Sequence, residues 1–212
     1  MKDWKIYEDK HTDIENINTR YWEIGSGNEY LLFIHGFGGA VEEWIFNIPS
    51  FENTYHIFAL DLPGQGRTDK PDLSYSYDFY VDFVYKFINK LNINLTSIIG
   101  HSLGGMIALL FSIKYSEKIN KIVLISPACK KDYGILFRLP TIPFIGEILM
   151  KPPSSHEVVR KSFFNLTYSK FDMPPEVIRS AYEVYKSSGY INACLRFFRN
   201  YLNIFGLTNM GP

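Results

Sequence analysis

One hexapeptide constrains this chain more than any other: Gly100-His101-Ser102-Leu103-Gly104-Gly105. It stands between an apolar run that reads as a strand, Ser97 to Gly100, and a helical pattern from Met106 to Tyr115. A backbone that passes from strand to helix in so few residues must turn sharply. Glycine at 100 and at 104 relieves clashes that any Cβ would make there. The turn lifts the Ser102 hydroxyl above the sheet edge, and the helix starting behind it aims N–H groups at the same spot. An oxyanion forming there would be stabilised. The strand–turn–helix setting is the context in which Gly-x-Ser-x-Gly presents a nucleophile.

The sequence on either side supports such a sheet. Thr19 to Ile24 and Tyr30 to Ile34 read as strands joined by a turn at Gly25-Ser26-Gly27-Asn28. His56 to Leu60 is a short apolar strand stopping at Asp61-Leu62-Pro63-Gly64. From Tyr77 to Leu91, the residues Tyr80, Phe83, Val84, Phe87, Ile88 and Leu91 recur at helical spacing. Lys121 to Ile125 is a further strand, closed by Pro127. Strands alternating with helices predict an α/β class with a doubly wound, mainly parallel sheet covered on both faces. After Pro127 the character changes, and no convincing strand follows. Pro140, Pro143, Pro152 and Pro153 interrupt the next stretch. Pro174-Pro175-Glu176 opens a helix with Val177, Ile178, Ala181, Tyr182 and Tyr185 on its apolar face. Ile191 to Leu202 reads as another helix. The expected organisation is a core segment, residues 1–128, and a helical segment, residues 129–212.

Two further motifs accompany the hexapeptide. His35-Gly36-Phe37-Gly38-Gly39 directly follows the strand ending at Ile34. Acyl-group hydrolysis needs two donors for the developing negative oxygen. The N–H of Leu103, next after the serine, is one candidate, and the N–H of Phe37 is the other. No Gly-Lys-Ser/Thr follows, and the dinucleotide glycine spacing is not met, so a phosphate loop is excluded. His35 is expected to be a hydrogen-bonded loop anchor. The third motif, Asp61-Leu62-Pro63-Gly64-Gln65-Gly66-Arg67-Thr68, is a tight loop in which Asp61 accepts bonds from its own turn. No chemistry is assigned to it.

Taken together, His-Gly at 35–36, Asp-x-Pro-Gly-x-Gly at 61–66 and Gly-His-Ser-Leu-Gly-Gly at 100–105 resemble the α/β-hydrolase superfamily. The resemblance is to its esterase, lactonase and carbon–carbon hydrolase branch, and it is strongest over residues 20–128. Residues 129–212 resemble the family's helical lid in position and character. Serine at 102 disfavours the branches with an aspartate nucleophile. Gln65 and Thr68 stand where relatives often carry His and Ser, with little expected effect. The resemblance implies a chain order of Ser, then Asp or Glu, then His, the last two following the lid.

That acid and that base are not found in this chain. His11, His35 and His56 precede Ser102, and His101 adjoins it and should point away from the pocket. His156 lies in the lid segment, with Asp132 or Glu157 as its conceivable partner. Two further strands of the family sheet are also missing, which would leave the strand at Lys121 to Ile125 as an apolar edge open to pairing. The expectation is therefore a truncated or split enzyme, at best weakly active in this form.

Composition excludes several alternatives. With 22 basic and 22 acidic residues the formal net charge is zero, so there is no electrostatic footprint for nucleic acid. No apolar run approaches the ~18 residues that span a bilayer, and the N-terminus lacks an apolar h-region, which points to the cytoplasm. Two cysteines make neither a disulfide framework nor a metal site; no metal and no cofactor is implied. Aromatic and aliphatic residues such as Phe137, Phe144, Leu149, Phe163 and Phe164 point to a small apolar acyl or ester substrate. The expected activity is hydrolysis of a carboxylic ester or related acyl bond through an acyl-enzyme on Ser102. The alternatives are a non-catalytic binding protein on a hydrolase scaffold and an acyltransferase. Self-association through the exposed sheet edge is the expected protein contact.

Overall fold

A computed structural model of the chain describes residues 4–129, 138–166, 170–203 and 206–207. The chain divides into two compact units, Met1–Lys131 and Asp132–Pro212. The first is built on six strands: β1 (Lys10–Ile14), β2 (Ile17–Ile24), β3 (Tyr30–Ile34), β4 (His56–Leu60), β5 (Thr96–His101) and β6 (Ile119–Ile125). Their order in the sheet is β1-β2-β4-β3-β5-β6. The pairs β4–β3, β3–β5 and β5–β6 are parallel, whereas β1–β2 and β2–β4 are antiparallel.

The connections explain the layers. The link from β3 to β4 carries two 3₁₀ turns, Val41–Trp44 and Ile48–Ser50. Trp44 and Phe51 pack their rings against Phe33 of β3. The link from β4 to β5 is helix α1 (Tyr77–Lys90), and that from β5 to β6 is α2 (Leu103–Lys114). Phe87 of α1 meets Tyr21 and Phe58 on the other face of the sheet, and α2 packs beside α1 on β5 and β6. The chain steps one way from β3 to β4 and then back across β3 to β5. Right-handed crossovers in opposite directions must lie on opposite faces, which is the arrangement seen.

The periodic patterns translate directly into core. Tyr80, Phe83, Val84, Phe87 and Ile88 of α1 are all buried, and Ser76 caps that helix by accepting from the Phe79 N–H. Strands β3 and β4 have the bounds expected from sequence. Although β2 and β3 are joined by the Gly25–Asn28 segment, they do not pair; β4 lies between them. Sequence reading also missed β1, whose hairpin to β2 turns at Glu15 and Asn16, both at positive φ.

Coverage of the sheet is uneven. On the face bearing the 3₁₀ turns, a trough of about 300 Å³ runs over Leu31, Phe33, Phe51, Ile99, Val123 and Ile125. Strand β6 is the sheet edge, with Val123 50% and Ile125 40% exposed.

In the second unit the described elements are α3 (Ile145–Leu149), α4 (His156–Leu166), α5 (Pro175–Lys186) and α6 (Tyr190–Tyr201). Helix α5 starts at Pro175 as predicted, and buries Val177, Ile178 and Val184. Helix α6 buries Tyr190, Ala193, Cys194, Leu195, Phe197 and Tyr201. A short antiparallel pair, β7 (Leu202–Asn203) with β8 (Gly206–Leu207), corrects the expectation of no strand after Pro127; two-residue strands are too short to leave a periodic signal. Among the described residues no helix is long and apolar enough to cross a membrane.

Candidate active site

Strand register brings the three glycine-rich motifs together. Ile34 of β3 pairs with Leu60 of β4 and with Gly100 of β5. The loops that follow, 35–39, 61–68 and the turn at 102, therefore leave from one edge of the sheet. In open α/β sheets a crevice forms where neighbouring connections depart in opposite directions, at the carboxyl ends of the strands. Here that point lies between β3 and β5.

Ser102 sits on the turn from β5 to α2 at φ 50° and ψ −110°. Such backbone costs a non-glycine residue ~1–3 kcal/mol and must be held by its surroundings. Its N–H donates to Ile125 O at 2.9 Å, and its carbonyl accepts from Ala128 N at 2.9 Å and Met106 N at 3.1 Å. A Cβ on Gly100 would lie 2.3 Å from Gly104 O, and one on Gly104 would lie 2.2 Å from Ile34 O. Both glycines are thus fixed by close backbone approach. The Ser102 side chain does not cap α2. Leu103 is the first residue of α2 and 1% exposed; at this position a helix supplies no acceptor for the N–H.

The 35–39 loop lies against this turn. A Cβ on Gly36 would come within 3.3 Å of Ser102 Cβ. Phe37 is flanked by two anchored peptides: Gly36 N–H donates to Glu43 Oε2 at 3.1 Å, and Gly38 N–H donates to Gln65 Oε1 at 2.8 Å. His35 is fully buried. Its Nε2 accepts from Leu62 N at 3.1 Å, so Nδ1 carries the proton and donates to Gly36 O at 2.7 Å. It is a loop anchor.

Sequence reasoning missed the polar scaffold beneath. Arg20 of β2, fully buried, bonds Glu42 through both Nη atoms (3.0 and 2.9 Å), Asp61 at 3.0 Å and Asp9 at 2.6 Å. Asp61, also fully buried, accepts from Val41 N at 2.7 Å and Arg67 N at 2.8 Å. Thr68 Oγ1 accepts from Arg20 N–H and donates to Asp61 O. Gln65 and Thr68, from which little effect was expected, are therefore both buried and bonded into the scaffold. Burial works against the charge on Arg20, but the three carboxylates hold its pKa above the usual arginine value. The available signal was an arginine inside an otherwise strand-like run, Ile17–Ile24.

His101 turns to Glu43, its Nδ1 2.7 Å from Oε1. The hydrogen bond raises the imidazole pKa above its ordinary value; partial burial opposes this, and the Glu43 charge adds to it. His56 stands at the amino end of β4 and bonds Glu23 at 2.9 Å, at the opposite end of the strand from the site. His11 is exposed on β1. In the second unit His156 opens α4 and lies over the Tyr182 ring at 4.1 Å, while Glu157 pairs with Arg160. Asp132 and Phe137 lie outside the described residues. Phe144 is 82% and Leu149 53% exposed; Phe163 and Phe164 are half-buried.

Comparison with known proteins agrees with the fold. The sequence is 34% identical over 131 residues, 60% of the chain, to the 2-hydroxy-6-oxo-6-(2'-aminophenyl)hexa-2,4-dienoic acid hydrolase of Metapseudomonas resinovorans, and covers 45% of that protein. It is 34% identical over 115 residues, 54% of the chain, to the dihydrolipoyllysine-residue acetyltransferase component of the acetoin cleaving system of Cupriavidus necator, and covers 31% of it. Among solved structures, Cfl2 of Burkholderia cenocepacia superposes with a TM-score of 0.78 at 19% identity, over 90% of this chain and 70% of that one. A serine-to-alanine mutant of the meta-cleavage product hydrolase CumD of Pseudomonas fluorescens gives 0.71 at 25% identity, over 87% and 66%. The chain thus spans less than half the length of these two curated relatives. The profile of the α/β hydrolase fold family matches residues 29–203, and the chain belongs to that family.

Proposed function

We propose that Ser102 is the nucleophile of a hydrolase acting on a carboxylic ester or related acyl bond. The observation that carries this reading is the backbone of Ser102, a serine held at φ 50° between two glycines that admit no Cβ. A plain strand-to-helix turn has no need of that strain, whereas a serine lifted from the sheet edge beside a helix N-terminus is suited to attack a carbonyl. In the proposed reaction Ser102 Oγ adds to the acyl carbon as a base removes its proton. The N–H groups of Leu103 and Phe37 stabilise the oxyanion. The leaving group departs with that proton, and water then releases the acyl group from the serine.

Serine needs a base. The described histidines of the first unit are engaged elsewhere or sit away from the site, so the base and its acid partner come from outside this set. The chain spans less than half the length of the curated relatives reported above, and residues 129–212 are read as a helical lid segment. A second reading is acyl transfer to an acceptor other than water, favoured by the relative named as an acetyltransferase component. The test is product analysis with p-nitrophenyl esters, with and without an added alcohol or thiol. Free acid formed in a Ser102-dependent manner supports the hydrolase, and transfer to the added acceptor supports the second reading. No Ser102-dependent product from a folded chain supports a binding role.

A further inference from the structure

Glu43 is hydrogen-bonded both to the turn carrying Ser102 and to the loop carrying Phe37. One carboxylate oxygen, Oε1, meets His101 Nδ1 at 2.7 Å; the other, Oε2, accepts the Gly36 N–H at 3.1 Å. Between these groups the backbone comes close: a Cβ on Gly36 would lie 2.9 Å from His101 Nδ1 and 3.3 Å from Ser102 Cβ, and one on Gly39 would lie 2.7 Å from Glu43 Oε2. Glu43 itself belongs to the 3₁₀ turn Val41–Trp44, whose other members are fixed independently. Val41 N–H is bonded to Asp61 and Glu42 to Arg20, while Trp44 is buried against Phe33. Glu43 therefore reaches out from a rigid base to two segments that have no strand pairing to each other beyond Ile34 and Gly100.

We propose that Glu43 is a positioning residue: with His101 it clamps the Gly36–Phe37 peptide onto the Ser102 turn and so fixes the spacing of the two N–H groups assigned to the oxyanion. The inference rests on the reading of Ser102 as nucleophile, but its structural half does not. Donor placement matters because a misplacement of about 1 Å in such a site can cost about 100-fold in rate. The charged group facing the His101 ring is Glu43; His35 is committed to Gly36 O and Leu62 N, and Asp61 and Glu42 to Arg20.

The test uses the 212-residue chain and its variants Glu43→Ala, Glu43→Gln and Glu43→Asp. Two quantities are read: amide-exchange protection at Gly36 with the imidazole titration of His101, and the rate of Ser102 phosphonylation by a fluorophosphonate. In Glu43→Ala, Gly36 protection should fall at least ~10-fold and phosphonylation should slow by about 10–100-fold, with the thermal midpoint little changed. Glu43→Gln should return the His101 titration toward that of an ordinary imidazole, and Glu43→Asp should recover part of the rate. Unchanged Gly36 protection in a folded Glu43→Ala chain overturns the clamp. Lost protection with an unchanged phosphonylation rate overturns its role in positioning. If wild type itself takes no adduct, the nucleophile reading fails, while the exchange and titration data still decide whether Glu43 holds the loop.

Discussion

Replacing Arg20 by methionine should destabilise the first unit more than any ordinary single substitution. The guanidinium is buried and makes four hydrogen bonds to the three carboxylates of Asp9, Glu42 and Asp61. Asp61 is 0% and Glu42 7% exposed, so neither can turn to water when the cation is lost. Removing one partner of a buried ion pair costs about 3–5 kcal/mol, because the remaining charge stays desolvated. For a chain of this size each kcal/mol lowers Tm by about 2–4 °C, so a fall of roughly 6–20 °C is expected. The pH dependence gives a sharper signature. In the wild type, burial alone would raise the Asp9 carboxyl, but its Arg20 hydrogen bond and charge, with Trp22 and Arg67, hold it below the usual range. A lowered folded pKa gives stability that is present above the unfolded value and lost as pH falls. In Arg20→Met, Asp9 loses the cation that holds its carboxyl down, so the variant should lose less stability than the wild type as pH falls through the carboxylate range. Urea unfolding of both proteins at neutral pH and within the ordinary carboxylate range reads this directly. A loss under about 1 kcal/mol, set against the 3–5 expected for a broken buried pair, or parallel pH slopes, would refute the reasoning.

Other outcomes follow from the same geometry. Ser102→Gly removes the strain of a side chain at φ 50° and should stabilise the fold by about 1 kcal/mol, after the unfolded-state cost of a glycine; a lower Tm would contradict the strained turn. Wild-type stability should fall on acidification, because Glu23 and Asp82 are also lowered: burial raises each, but Lys10 and His56, or Lys114 and Tyr115, outweigh it. That loss should set in within the ordinary carboxylate range, continue below it, and be shallower in Asp82→Asn; identical acid limbs would argue against the pairing. Along β6, Val123→Lys should reduce concentration-dependent association in sedimentation, since a charge on an exposed edge blocks pairing. An unchanged sedimentation profile would remove the edge as a contact.

The sheet and the site were legible to different degrees. Strands β3 and β4 and helix α1 follow from periodicity, because each buries a continuous face in a regular local pattern. The turns at 36–39, 61–66 and 100–105 were visible because close backbone approach demands glycine. The Arg20 scaffold was not visible. Its carboxylates lie 11 to 41 residues from Arg20 in sequence, and nothing periodic announces which carboxylate will meet which cation. Glu42 and Glu43 read alike in sequence; the 3₁₀ turn sends one to Arg20 and the other to His101. Strand β1 escaped notice because Glu15 and Asn16 turn the chain without a glycine. Gln65 and Thr68 looked like neutral replacements because their value lies in the partners they reach, Gly38 N–H, Arg20 N–H and Asp61 O.

The central claim is that Ser102 is built to react. Intact-mass analysis of the folded chain after exposure to a fluorophosphonate, with peptide mapping and a Ser102→Ala control, tests it most directly. The account predicts a single adduct on Ser102 that is absent from the variant. An adduct on another residue, or none on the folded chain, would contradict it.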